Sequence, residues 1–180
     1  MRIDKDNDTE RVKAARTGDV EAFAVLYKRY YAAMVWLAYS VLLDWNLAED
    51  AAQQAFVLAC ERLPDLKRAD RFSPWLATIC RHTAQDIIRE RRRHVRSRGS
   101  AFAAGYEQYA RDGFAEAVKK AVDSLPPMYR EIVVLHYYNQ MSYQQIQSVL
   151  GISGHVVKGR LARARNKIQA HLKREGFSRE

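Results

Sequence analysis

Between Ser142 and Leu172 the chain sets Gly151 between two stretches of helical spacing, each opened by a serine. Ser142 is placed to cap one helix, whose Ile146 and Leu150 recur one turn apart on a single face. Gly151 supplies the left-handed backbone that a tight helix exit needs, and Ser153 is placed to cap the helix that follows. In that helix Val157, Leu161, Ala164, Ile168 and Leu172 recur in steps of four, three, four and four, a narrow apolar stripe that must pack on a core. Short helices meeting at a glycine turn fit the helix-turn-helix. His155, Gly159, Ala162 and Asn166 fall on the opposite face, flanked by Lys158 and Arg165 on one side and by Arg160, Arg163 and Lys167 on the other. Small and polar groups in the middle allow close approach to a major groove, while cations at the edges reach phosphates. The predicted DNA contacts of this segment are Ser142, Tyr143, Ser153, His155, Val156, Lys158, Gly159, Arg160, Arg163, Asn166 and Lys167.

The rest of the chain is expected to be helical too. Its 180 residues contain only 8 Gly and 4 Pro, and Ala, Leu, Arg, Gln and Glu are abundant, which favours an all-α fold. Ala22, Leu26, Tyr30, Ala33 and Leu37 keep helical spacing. A break at residues 44–46 precedes a second helix from about Leu47 to Leu63, ended by Pro64. Ser73 and Pro74 then stand as the cap and first position of a third long helix running into Arg93. Periodicity fades over 94–113, a stretch read as a linker with partial helix near Phe102 to Tyr109. It resumes near Phe114, halts at Pro126–Pro127, and restarts through Met128–Asn139. Two small helical domains, 10–93 and 114–175, joined by that linker, are the predicted organisation.

The distribution of charge is more telling than the net +9. From Trp75 to Ser100 there are seven Arg against Asp86 and Glu90; from His155 to Arg174 there are seven Lys or Arg and no acid. A surface built only for solubility would intersperse its signs. Two separate basic footprints imply two contacts with nucleic acid. On the helix from Trp75, Leu76, Ile79, Thr83 and Ile87 form the inward stripe. Arg81, Gln85, Arg89 and Arg92 form another row, with His82, Asp86 and Arg93 beside it. Phe72 and Trp75 read equally well as core anchors or as platforms for an unstacked base. On the helix around Asp50, the polar side carries Asp50, Gln53, Gln54 and Glu61 without a basic cluster, so a protein contact fits better than DNA.

The longest apolar run, Ala32 to Leu43, is too short for a bilayer, which takes roughly 20 residues, and residues 1–18 do not resemble a secretory signal. A soluble, cytoplasmic chain is expected. Cys60 and Cys80 lack neighbours that would complete a metal site, so both are expected to be buried, reduced thiols. No catalytic group, metal or cofactor is predicted. His82 and Asp86, one turn apart, imitate an acid–base pair, but no carboxylate cluster, phosphate-cradling loop or nucleophile accompanies them.

These residues together resemble an extracytoplasmic-function sigma factor, the smallest class of the bacterial sigma-seventy family, over about Thr17 to Leu172. Gly18-Asp19-Val20-Glu21-Ala22-Phe23 with Leu26-Tyr27 is similar to that family's first conserved helix. Ala48-Glu49-Asp50 with Gln53 and Phe56 is similar to its polymerase-binding region. Phe72-Ser73-Pro74-Trp75-Leu76 with Ile79 and Arg81 is similar to its promoter-melting, minus-ten-reading region. Leu125-Pro126, Arg130 and Leu135 resemble the start of its C-terminal domain. Ser142-Tyr143, Ile146, Leu150-Gly151-Ile152-Ser153, Val157-Lys158, Arg160-Leu161 and Arg163-Ala164-Arg165 resemble its minus-thirty-five reader.

The resemblance implies a transcription initiation factor without covalent catalysis. Its implied partners are core RNA polymerase (clamp coiled coil and flap), promoter DNA and an anti-sigma protein, with no small-molecule substrate. Polymerase binding falls on Asp50, Gln53, Gln54 and Phe56. Minus-ten reading falls on Phe72, Trp75, Arg81, His82, Gln85, Asp86, Arg89, Arg92 and Arg93, with an unstacked base captured by the loop before the Trp75 helix. The chain departs from the common pattern at Gln54, His82, Gln145, Gln147 and Val156, which bears on the promoter sequence more than on the role. A stand-alone helix-turn-helix regulator accounts for Ser142–Leu172, but not for the second basic helix or the Asp50 face.

Overall fold

The computed structural model describes residues 5–97 and 113–177, all helix, turn and loop with no strand among them. The first half holds α1 (Lys5–Arg16), α2 (Val20–Leu42), α3 (Trp45–Arg62) and α4 (Phe72–Ser97). The second holds α5 (Gly113–Asp123), α6 (Pro127–Val133), α7 (Tyr143–Leu150) and α8 (Gly154–Arg174). A π-helical turn, Val134–Tyr138, extends α6. The linker residues 98–112, including the expected helical piece near Phe102 to Tyr109, lie outside the described residues.

Local chemistry sets the helix starts. Asp19 accepts a hydrogen bond from the Ala22 amide at 2.9 Å and caps α2. Asp44 does the same for α3 through the Leu47 amide at 3.2 Å, so that helix begins at Trp45, earlier than expected. α4 begins at Phe72, one residue before the expected Ser73 cap. A 3-10 turn at Ala69–Arg71 already supplies the preceding coil, and the Phe72 amide bonds to the Ala69 carbonyl within it. A side-chain cap is then unnecessary.

In the first half, α2, α3 and α4 bury Leu26, Met34, Leu37, Ala51, Ala55, Leu76 and Cys80. α1, which the apolar spacing did not delimit, adds the fully buried Val12. It also brings Asp8 against Arg29 and the Tyr30 hydroxyl, which donates to Asp8 at 2.8 Å. Alanines at 48, 51, 52, 55 and 59 of α3 are all fully buried, allowing close helix approach. In the second half, Ile146, Val157 and Leu161 pack together with Ile132 and Leu135, and Val133 and Ala164 sit in a smaller cluster with Leu125.

The two halves do not stand apart on a linker. One continuous apolar core passes from α2 and α4 into Ile132, Leu135, Met141 and Ile146. Each half alone is small, and burying shared surface raises the fraction of its apolar area removed from water.

One cysteine corrects the expectation. Cys80 is buried and Cys60 is exposed, because α3 turns its alanine stripe inward and leaves position 60 outside.

Candidate nucleic-acid interface

The helix-turn-helix forms from its own sequence signals. Ser142 and Gln145 make a reciprocal capping box: the Gln145 amide donates to the Ser142 hydroxyl at 3.3 Å and the Ser142 amide donates to Gln145 Oε1 at 2.9 Å. α7 ends at Gly151, whose φ of 64° is left-handed. Ser153 accepts from the Val156 amide and starts α8. Val157, Leu161 and Ala164 are buried, and Ile168 and Leu172 half-buried, as their stripe requires.

The opposite side of α8 is open. His155, Lys158, Arg163, Arg165, Asn166 and Lys167 are exposed, and Arg160 is half-buried. A Cβ built on Gly159 meets nothing within 4 Å, so the centre of this face is both shallow and unobstructed. Val156 is 36% exposed and puts an apolar group at the start of the same face. Ser142 and Ser153 lie exposed at the two helix starts. Tyr143 is exposed beside His136, their rings 5.4 Å apart. The basic surface of α8 therefore carries no acidic side chain of its own between His155 and Arg174 and faces solvent.

On α4 the expected row divides. His82, Asp86, Arg89 and Arg93 are exposed, with Arg89 donating to Asp86 at 2.6 Å; Arg92 lies on the same helix. Arg81 is different. Its Nε donates to Glu131 Oε2 of α6 at 2.8 Å, the two side chains being 20% and 10% exposed. With its amide turned to accept, Gln85 receives a second Arg81 hydrogen bond at 2.9 Å. Phe72 is 2% exposed and packs edge-on against Tyr30, their rings 5.5 Å apart, which makes it a core anchor. Trp75 is half-buried against Phe72.

The α3 face presents Asp50, Gln53 and Gln54 to solvent, with Val57 exposed beside them. Phe56, expected among the polymerase contacts, is 3% exposed. Its ring lies 4.7 Å from Tyr27 and 6.5 Å from Phe23. It is an inward anchor that fixes the helix, and its neighbours carry the outward face.

Several groups at the seam between the halves had no sequence signal of their own. Arg130 is 3% exposed. Its guanidinium donates to the Ser40 carbonyl of α2 at 2.6 Å and to the Asp123 carbonyl at 2.7 Å, and burial lowers its affinity for its proton. The Tyr39 hydroxyl, raised above its ordinary pKa chiefly by burial, donates to Asp123 at 3.0 Å. Tyr138 stacks on Trp36, ring centres 4.8 Å apart. Arg130 was visible only as part of a family-like segment, and nothing in spacing says that Glu131 meets Arg81.

Comparison with known proteins places both halves. The family model for sigma-70 region 2 matches residues 26–94, and that for sigma-70 region 4 matches residues 115–168. The ECF RNA polymerase sigma factor SigW of Bacillus subtilis is 27% identical over 179 residues, covering 91% of this chain and 96% of SigW. Among solved structures, CnrH in complex with the cytosolic domain of CnrY superposes with a TM-score of 0.70 at 29% identity, covering 93% of this chain and 97% of CnrH. The sigma factor RpoE bound to the anti-sigma factor NepR, from Bartonella quintana, gives 0.75 at 26% identity, covering 86% and 98%.

Proposed function

This chain belongs to the sigma-70 family, in its extracytoplasmic-function group, and from that premise we propose how its own residues do the work of transcription initiation. It binds core RNA polymerase, directs it to two-part promoters and assists in melting the DNA. The reading rests above all on one observation: a cationic helix in each half, α4 and α8, on a single chain. Two separated basic helices fit two promoter elements read together.

α8 reads the upstream element, with Arg163, Lys158 and Lys167 on phosphates and His155, Val156, Gly159 and Asn166 facing base edges. Ser142, Tyr143 and Ser153 meet the backbone at the helix starts, and Arg160 reaches a phosphate from the flank. α4 reads and holds the melted element through Arg81, His82, Gln85, Asp86, Arg89, Arg92 and Arg93. Phe72 and Trp75 support the loop from beneath. Opening a duplex costs stacking and pairing, and a cationic groove with a base pocket offsets that loss. Asp50, Gln53 and Gln54 on α3 form the polymerase contact, held in place by Phe56. Residues 10–93 and 114–175 are the corresponding domains.

The chain carries out no covalent catalysis of its own and works where polymerase works, in the cytoplasm. No helix among the described residues is long and apolar enough to cross a membrane. RpoE is held by an anti-sigma factor and CnrH by CnrY, which supports a protein inhibitor here as well. A stand-alone regulator would leave the α4 and α3 surfaces without a purpose.

The test is binding of the labelled full chain to purified core polymerase. A saturable complex is expected, weakened at least tenfold by Asp50→Arg; absence of any complex at micromolar core enzyme would reject the proposal.

A further inference from the structure

Three irregularities fall together between α6 and α7. The π-helical turn Val134–Tyr138 closes with the Asn139 amide donating to the Val134 carbonyl at 3.0 Å. Asn139 is 4% exposed, yet neither its side-chain oxygen nor its nitrogen has a hydrogen-bond partner. Gln140 holds a φ of 51°, a left-handed backbone that residues other than glycine rarely take. π turns and strained backbone concentrate at functional sites. A buried carboxamide without partners is costly in itself, and a ligand that pairs with it recovers that cost.

Tyr138, Asn139 and Gln140 line a cleft of about 290 Å³, shared with Arg29 and Trp36 of α2 and Ser73 of α4. That volume is near the lower end for small-molecule pockets, roughly 300–1,000 Å³. Its lining combines three chemistries. Tyr138 stacks on Trp36 with ring centres 4.8 Å apart, and Trp36 is held edge-on by Tyr39 and Trp45, which fixes a broad aromatic surface. Arg29 and Arg11 share one carboxylate, Asp8, so the local charge sums to one positive unit. The Asn139 carboxamide presents a donor beside an acceptor.

Each feature narrows the ligand. An inorganic anion would leave the aromatic surface unused and set another acceptor against the carboxamide oxygen. An apolar molecule would leave the carboxamide unpaired. A nucleobase satisfies both, because its face stacks on aromatic rings and its edge carries adjacent donors and acceptors that a carboxamide pairs with bidentately. The single net positive charge matches one phosphate group, whereas a nucleic-acid strand is held by rows of cations.

We propose that this cleft binds a free mononucleotide, its base stacked on the Trp36–Tyr138 surface and paired with the Asn139 carboxamide, its phosphate beside Arg29. The site draws on both halves of the chain, so occupancy stabilises the fold as a whole by mass action.

The test is calorimetric titration of the full chain with AMP, with ribose 5-phosphate and with short single-stranded oligo(dA), alongside thermal melts. One AMP per chain is expected to bind in the micromolar range and raise the melting temperature, with ribose 5-phosphate at least roughly tenfold weaker because it lacks the stacking base. Asn139→Leu, which exchanges the unpartnered carboxamide for apolar volume, should melt no lower than wild type without ligand. It should nevertheless lose roughly tenfold or more in AMP affinity and leave oligo(dA) binding unchanged. Tyr138→Ala, at a side chain that is 51% exposed, should weaken AMP roughly tenfold through lost stacking. No heat with millimolar AMP, equal binding of ribose 5-phosphate, or wild-type AMP affinity in both variants would overturn the proposal. So would an Asn139→Leu chain that loses affinity for oligo(dA) alone, since the cleft would then take a base from a DNA strand.

Discussion

Arg81 and Glu131 stand 50 positions apart in sequence and meet at 2.8 Å across the two halves of the fold. The pair is mostly withdrawn from water, so each charge depends on the other. Removing one partner strands the second, whereas removing both restores balance. In a double-mutant cycle, Arg81→Ala and Glu131→Ala should each destabilise the chain, and the pair should couple by about 0.5–3 kcal/mol. Denaturant unfolding of the four proteins measures this; additive effects would mean that the pair contributes nothing to holding the halves.

The apolar stripe of α8 gives a stability prediction with a separate origin. Leu161 is 1% exposed at the centre of that stripe. Leu161→Ala should cost about 2–5 kcal/mol through lost burial and an unfilled cavity. The loss should show as a lower denaturation midpoint, and an unchanged midpoint would contradict the packing described for α8.

On the other side of the same helix the expected effect reverses. Arg163 is exposed on α8, so Arg163→Ala should leave stability within about 0.5 kcal/mol. DNA affinity should fall, and the slope of log affinity against log salt should become shallower by about 1. A salt titration of binding to duplex DNA reads both quantities. A slope equal to that of the wild type would remove Arg163 from the phosphate contacts.

Two glycines in this motif are expected to respond in opposite ways. Gly151 has a φ of 64°, and although space around it is open, an L side chain there is strained. Gly151→Ala should destabilise by about 1–2 kcal/mol. Gly159 lies within α8 with equally open surroundings and no such φ, so Gly159→Ala should stabilise by up to about 1 kcal/mol through helix propensity. It should nevertheless weaken DNA binding, because the added methyl projects from the face that the proposed function assigns to the groove. Thermal melts and binding measured on the same two variants separate these effects.

The two cysteines should differ in reactivity. Burial pushes the Cys80 thiol up to about 12, and it donates to the Met34 carbonyl at 3.3 Å. At neutral pH its thiolate is scarce and inaccessible, while Cys60 is exposed. Iodoacetamide should label Cys60 in the native chain and reach Cys80 only on unfolding. Labelling of Cys80 at a comparable rate under native conditions would contradict its place beneath α2.

The legible parts of this fold were those written in local code. Ser142, Gly151 and Ser153 act within a few residues of themselves, and the structure gives each the expected geometry. The α8 stripe is equally local, because helical period alone decides which side chains share a face. The exposed Cys60 shows that residue type is a weaker guide than helix phase, which the alanines of α3 fix. Phe56 and Phe72 show a related limit: both are buried motif aromatics that serve packing, and only their neighbours reveal that. The seam was not legible at all. Arg130 and Glu131 sit in an ordinary amphipathic segment, and their partners Ser40 and Arg81 lie far back along the chain. Pairings of that kind depend on how whole helices dock, which no local pattern records.

In the proposed function this chain gives polymerase its choice of promoter by reading two DNA elements. Run-off transcription on fragmented genomic DNA, with purified core enzyme in the presence and absence of the chain, tests it most directly. A discrete set of start sites should appear only when both proteins are present, sharing an upstream and a downstream element, with Arg163→Ala selectively impairing use of the upstream one. A transcript profile identical with and without the chain would contradict the account.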